Sequence, residues 1–403
     1  MDLGSGQPFW PLQNGLPATY PPLEKNDRCT VAIIGAGVTG ALVAYHLTEA
    51  GVNVVVLDRR DVATGSTCAS TGLLQYEIDV PLHRLIRLVG ENHAVRAYRC
   101  CHATLGKFAS LDRKLGRATD FSPVQSFFGA SRLAHVPALR REFLARQTHG
   151  FSVDWWNRRR IAHAGTLPCP AAILSRDAAQ VDPHRLTHAL LQAAVRAGAR
   201  VFDRTAVVKR TATRTGVTLV TAEGRRLRAR KLVIAAGYET EPYLPDKLTR
   251  LQSTFSLITE PVDTFKGWPA DRALIWETAR PYVYLRTTGD RRIIIGGYDE
   301  PTASPSRRAA LLPHKTAALT RRLRALLPHV PFKVACAWAG AFAETPDGLP
   351  YIGENPRVPH TYFALGYGGN GITFSLIAAE IIRDLVTDRT NPDAELFRFD
   401  RGG

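Results

Sequence analysis

A chain of 403 residues has room for two domains, each with a core of its own. With 45% hydrophobic and 22% charged residues it reads as folded and globular, which excludes a disordered chain. The net charge of +16 favours anionic partners without bearing on the fold, and the arginine clusters read as a solvated basic face.

Residues 1–27 carry Pro8, Pro11, Pro17, Pro21 and Pro22 and no periodicity, so an extended surface arm is expected there. The first ten residues hold an early acid and no apolar core, unlike a secretory signal. From Thr30 the pattern turns to strand (31–34), helix (41–50, ended by Gly51) and strand (52–57). A loop of small residues (65–72) follows, then helices near 82–89 and 93–115. A basic helix is expected near 137–146. Asp182 followed by Pro183 starts another, which runs to Gly198. Strands at 199–202, 206–210, 217–221 and 226–229 lead into the apolar strand 232–237. Residues 251–297 are mostly strand (253–260, 273–277, 282–286, 292–296), before helices at 305–327 and 371–386. Alternation at both ends around a strand-rich middle predicts an α/β chain, α+β overall. Segments 28–80, 170–250 and 340–403 are assigned to a Rossmann-type domain. Segments 81–169 and 251–339 are assigned to a second domain on a mostly antiparallel sheet.

The six cysteines show neither CxxC nor Cys/His ligand spacing, so reduced thiols in a cytoplasmic protein are expected, with no metal site. No apolar run approaches the roughly 20 residues that span a bilayer.

Chemistry gathers at Gly35-Ala36-Gly37-Val38-Thr39-Gly40, between a buried strand and a helix. Gly35 permits the turn, Gly37 the approach of a pyrophosphate, and Gly40 the packing of helix on sheet; the helix N-terminus offers free N–H groups. Asp58 ends the next strand, eighteen positions past Gly40, where a carboxylate can accept ribose hydroxyls. The loop with Ser66, Thr67 and Thr71 reads either as a phosphate-binding segment or as an ordinary hydroxyl-rich turn. The strand closing in Ala236 and Gly237 suits close passage by a cofactor. Gly369-Asn370-Gly371-Ile372-Thr373 opens the last helix, whose dipole would stabilise negative charge on a bound group.

In this order IIGAGVTG, GSTCASTG, LVIAAG, TPDGLPYIG (345–353) and GYGGNGITFS resemble the D-amino-acid oxidase superfamily of FAD-dependent oxidoreductases, over residues 30–385. That group includes glycine oxidase, sarcosine oxidase and γ-glutamylputrescine oxidase. The resemblance implies FAD at Gly35, Gly37, Val38, Thr39, Gly40, Asp58, Arg59, Ser66, Thr67, Thr71, Val207, Ala236, Gly237, Gly340 and residues 369–373. It also implies hydride transfer from a carbon beside nitrogen to the flavin N5.

Three departures from the family pattern stand out. Ala69 occupies the place of a flavin-linking histidine, and Gly340 that of a flavin-linking cysteine, Cys336 lying too early, so non-covalent FAD is expected. Phe342 stands where glycine-oxidase-like members carry a substrate-carboxylate arginine; Arg286 is the candidate replacement, or else a charge on the sheet. Thr373 stands where sarcosine-oxidase-like members place an oxygen-activating lysine, which leaves open oxygen or another electron acceptor. Tyr284, Arg286 and Thr373 are the candidate catalytic residues. Gln75, Tyr76, Tyr282, Tyr298, Trp338 and Phe342 are the candidate substrate contacts. The expected substrate is an amine or substituted amino acid. An RNA-modifying flavoenzyme and a flavin electron-transfer protein are the alternatives, the former disfavoured by the lack of an RNA-binding module.

Overall fold

The apolar runs 31–34 and 54–57 become the centre of a parallel sheet buried on both faces, which is why they read as unbroken hydrophobic stretches. A computed structural model describes residues 3–401. In the parallel sheet the strands lie in the order Tyr351–Glu354, Thr361–Leu365, Arg226–Ile234, Asp27–Ile34, Val54–Leu57 and Arg200–Phe202. All neighbours are parallel except the outermost Tyr351–Glu354. Ile34 is in register with Leu57 on one side and Ile234 on the other, so three strands end together.

Alternation sorts the side chains between the faces. Val31, Ile33, Val54 and Val56 pack under the helices Val38–Glu49, Pro183–Arg196 and Gly371–Val386. Ala32, Ile34, Val55 and Leu57 pack under the meander made by Val207–Thr213, Gly216–Thr221 and the first half of Arg226–Ile234. The expected strands 226–229 and 232–237 are thus one, because Arg230 and Lys231 keep the extended backbone with their charges at the edge of the core.

The second sheet has ten strands, nine along its main path and Val153–Asn157 beside Ala171–Gln180, and is antiparallel apart from the pairing of Leu274–Glu277 with Ser122–Gly129. The helix Pro305–Leu326 covers one face and buries Leu319 and Leu323 with Phe255, Leu257 and Ile295. The strand Ala171–Gln180 and the short Leu73–Leu74 belong here, not with the segments assigned to the Rossmann-type domain. Position 340 likewise divides a single strand, Val334–Glu344.

The amino-terminal segment corrects the expected extended arm. Gly4–Gly6 adds an edge strand opposite Trp338–Gly340. The short helix Phe9–Asn14 buries Phe9 and Trp10 against Ile258, Ile294 and Trp338, and Trp10 Nε1 donates to the Ser70 carbonyl at 2.7 Å. Elements of three and six residues are too short to show a period, so the aromatic pair was the only trace of burial. Among the described residues no helix is long and apolar enough to cross a membrane.

Candidate active site

A cavity of about 640 Å³ opens where the three parallel strands end, and it runs from the first crossover to the inner face of the large sheet. In open α/β sheets this carboxyl edge is where ligands bind. At the near end the wall is mostly backbone. Gly35 has φ +110°, and a Cβ there would lie 2.3 Å from the Ala235 carbonyl oxygen. At Gly40 a Cβ would lie 1.8 Å from the Gly35 oxygen, so Gly40 packs helix on turn and does not itself face the cavity. Gly37 sits at the N-cap of Val38–Glu49 without a side-chain cap, which leaves N–H groups free at a positive helix end.

Short polar side chains hold this turn. Thr67 Oγ1 accepts from Val38 N at 3.0 Å, joining the 65–72 loop to the helix start. Asp58 accepts from Ala36 N at 2.7 Å and Arg60 N at 2.9 Å; burial nevertheless raises its pKa above the ordinary carboxylate value. Glu239 pairs with Arg59 and with Arg60, the latter at 3.0 Å, and Ser66 Oγ is buried without a partner. Thr39, Thr71, Val207, Ala236 and Gly237 complete this wall.

Midway, Gly340 faces the cavity, where a Cβ would meet Ala69 Cβ at 2.9 Å. Gly369, Asn370, Gly371 and Ile372 bring the uncapped N-terminus of the last helix to the wall. Asn370 Nδ2 ties it down by donating to the carbonyls of Gln75 (3.1 Å) and Glu77 (2.8 Å).

The far end is built of side chains. Gln75, Tyr282, Tyr284 and Phe342 line it, together with Trp276 and Tyr238. Ser126 Oγ accepts from both Gln75 Nε2 and Trp276 Nε1 at 3.0 Å. Gly296 leaves room for the Tyr284 ring, since a Cβ would fall 2.4 Å from its hydroxyl. Two carboxylates also stand here, Asp79 and Asp299. Asp79 Oδ2 accepts from Gly369 N at 2.6 Å. Burial pushes the Asp299 carboxyl up to about 6; Thr254 and Arg280 resist the rise and Asp79 and Glu344 add to it. Tyr282 is pushed well above its ordinary value by burial and by both carboxylates.

Five expected contacts lie elsewhere. Arg286 is wholly buried, with Nη1 donating to the carbonyls of Thr71 (3.1 Å), Gly72 (2.9 Å) and Val181 (2.8 Å), so it braces the loop instead of facing a substrate. Tyr76 stacks on Phe151 at 5.0 Å in the helical core. Tyr298 packs against the cluster under the helix Pro305–Leu326. Trp338 is buried with Nε1 on the Ala69 carbonyl at 2.9 Å. Thr373 turns its hydroxyl to the Gln75 carbonyl at 3.3 Å and does not line the cavity.

Asp79, Tyr238, Trp276 and Asp299 were missed. A signal for Asp79 existed: Gln75, Glu77 and Asp79 line the cavity while Tyr76 and Ile78 enter the core, the alternation of an extended chain. That pattern allows Gln75 or Tyr76 at the wall, never both.

The family model for FAD dependent oxidoreductases matches residues 30–385. The chain belongs to that family. It is 25% identical to a glycine oxidase of Bacillus licheniformis over 89% of this chain and 93% of that one. It is 24% identical to the gamma-glutamylputrescine oxidoreductase of Escherichia coli (strain K12) over 94% and 88% respectively. The fold superposes on the crystal structure of glycine oxidase from Geobacillus kaustophilus with a TM-score of 0.77, at 21% identity, over 93% of this chain and 99% of that one. FAD is therefore the cofactor, and the cavity suits it. The close approaches at Gly35, Gly37 and Gly340 leave a cradle that side chains would fill, and Ser66 Oγ lacks a protein partner. The near-end residues would hold the dinucleotide, and Gly340 and residues 369–372 would be available to the flavin.

Proposed function

We propose that this chain oxidises a C–N bond of an amine or substituted amino acid, using FAD held without a covalent link. The observation that carries the reading is one continuous cavity, joining the glycine turn to the free N-terminus of the last helix and ending on an aromatic wall. Bound FAD supplies the two-electron acceptor for hydride from the carbon beside nitrogen. Gly371 and Ile372 stabilise negative charge at the middle of the cavity through the N–H groups of the first helical turn and the helix dipole. Trp276, Tyr282, Tyr284 and Phe342 exclude water and hold the substrate flat. Among the described lining residues there is neither histidine nor cysteine, which supports dissociable flavin.

The same wall holds no lysine, and its arginines, Arg59 and Arg60, stand with Glu239 at the near end. A cation beside the ring favours the superoxide-like state that forms with oxygen. Its absence among the described lining residues supports a dehydrogenase handing electrons to another acceptor. Anaerobic stopped-flow mixing of the holoenzyme with amines and amino acids tests the reaction. Bleaching of the flavin by members of the panel is expected, and no bleaching with flavin intact would refute the reading. Dye reduction outpacing peroxide release is the expected sign of the non-oxygen acceptor.

A further inference from the structure

We propose that the far end of the cavity selects amines that carry positive charge and no carboxylate beside the reacting carbon, with Asp79 and Asp299 receiving their ammonium groups. This rests on the amine-oxidising reading above. It starts from the charges on the wall. Asp79 and Asp299 both line the cavity and both act on the Tyr282 hydroxyl between the aromatic residues. Glu77, 3% exposed, reaches the same wall; its Oε1 is engaged by Arg146 and Ser175, and its Oε2 has no partner. Asp299 Oδ1 likewise lacks a hydrogen-bond partner. Carboxylates held in a low-dielectric pocket without a full set of partners favour a cationic ligand.

Among the described lining residues no lysine or arginine stands at this end to pair with a carboxylate. Phe342 fills the position of a carboxylate-binding arginine, and Arg286, whose Nη1 holds three backbone carbonyls, is not among the lining residues. Among the described residues the cation that acts on both Asp79 and Asp299 is Arg280, which is exposed, lies outside the lining and stacks its guanidinium 4.8 Å from the Tyr282 ring centroid. One screened arginine faces two carboxylates. An amino-acid carboxylate entering beside Asp79 and Asp299 would meet like charge, which penalises the wrong substrate as effectively as attraction rewards the right one.

The test uses the holoenzyme and two unreactive ions, tetramethylammonium and propionate, titrated while the visible spectrum of the bound flavin is followed. Tetramethylammonium should perturb the spectrum and saturate, and propionate should not. Asp79→Asn and Asp299→Asn should each weaken the cation about tenfold or more, as expected when one side of a desolvated charge pair is removed. Asp299 makes no backbone contact, so Asp299→Asn carries the test if Asp79→Asn, which touches Gly369 N, loses flavin. Arg280→Ala should not weaken the cation. In parallel, a straight-chain diamine should reduce the flavin faster than the α-amino acid of the same carbon count. Cation binding that survives the double variant, or propionate binding more tightly than the cation, overturns the proposal. A flavin that no amine reduces, in a protein that binds the cation through these two aspartates, would uphold the recognition and remove the oxidation reading instead.

Discussion

At one end of the cavity Gly35, Gly37 and Gly237 present backbone to the ligand; at the other, Asp79, Trp276, Tyr282, Tyr284 and Asp299 present side chains from three separate stretches of chain. The first end tolerates few added atoms: a Cβ at Gly35 would meet the Ala235 carbonyl, one at Gly37 the Thr67 hydroxyl, and Gly237 holds φ +56°, which side chains rarely adopt. The second has neighbours that can be exchanged one at a time. A dinucleotide common to a whole family is read by backbone and dipole, whereas a particular substrate is read by charge and shape.

The most severe way to break the comparison is at the rigid end. Gly35→Val places a branched side chain at φ +110°, against the Ala235 carbonyl. Strain and displacement together should cost more than about 3 kcal/mol. The expected outcome is no flavin-loaded protein on a size-exclusion column monitored at the flavin band.

Arg286 tests the loop that joins the two ends. Arg286→Gln leaves several of the carbonyls at Thr71, Gly72 and Val181 without their donor in a buried setting. Stability should fall by about 2–4 kcal/mol, seen in urea unfolding, while the preference among amines stays unchanged. A changed preference with unchanged stability would return Arg286 to the substrate.

At the far end, pH separates charge from shape. Asp299 titrates near pH 6, raised from an ordinary value of 3.8 mainly by burial. Raised pKa means that the folded state favours the protonated form. The stability it contributes is present below about 4 and is lost as pH rises through about 6. Cation affinity should move the opposite way, growing by up to about tenfold per pH unit as the carboxylate ionises. Titration of tetramethylammonium between pH 5 and 8 checks this, and the dependence should vanish in Asp299→Asn.

The smallest effect is expected at Thr67. Thr67→Val removes the acceptor for Val38 N but leaves that N–H at the helix start, which would hold the dinucleotide. FAD affinity should weaken by about fivefold, roughly 1 kcal/mol, by fluorescence titration.

The near end was legible in the sequence because its requirements are local. A glycine turn between a buried strand and a helix, with Asp58 at the end of the next strand, falls within one stretch of chain. The far end is tertiary. Asp299 sits at the end of a strand whose partners come from residues 250–259 and 283–287, and nothing nearby marks it as facing a cavity. Trp338 and Tyr298 have side chains suited to an amine, but the sheet turns them into the core and toward the covering helix. Arg286 looked like a free charge on a strand, yet three carbonyls from two distant segments close around it. Alternation in 75–79 was the one pattern that would have separated wall from core.

The most direct measurement is the FAD content of the purified wild type and of the Asp79→Asn/Asp299→Asn double variant, each precipitated with acid to release the flavin. The account predicts about one FAD per chain in both, recovered in the supernatant, with cation binding lost only in the variant. A colourless wild type, or flavin remaining with the precipitate, would contradict it.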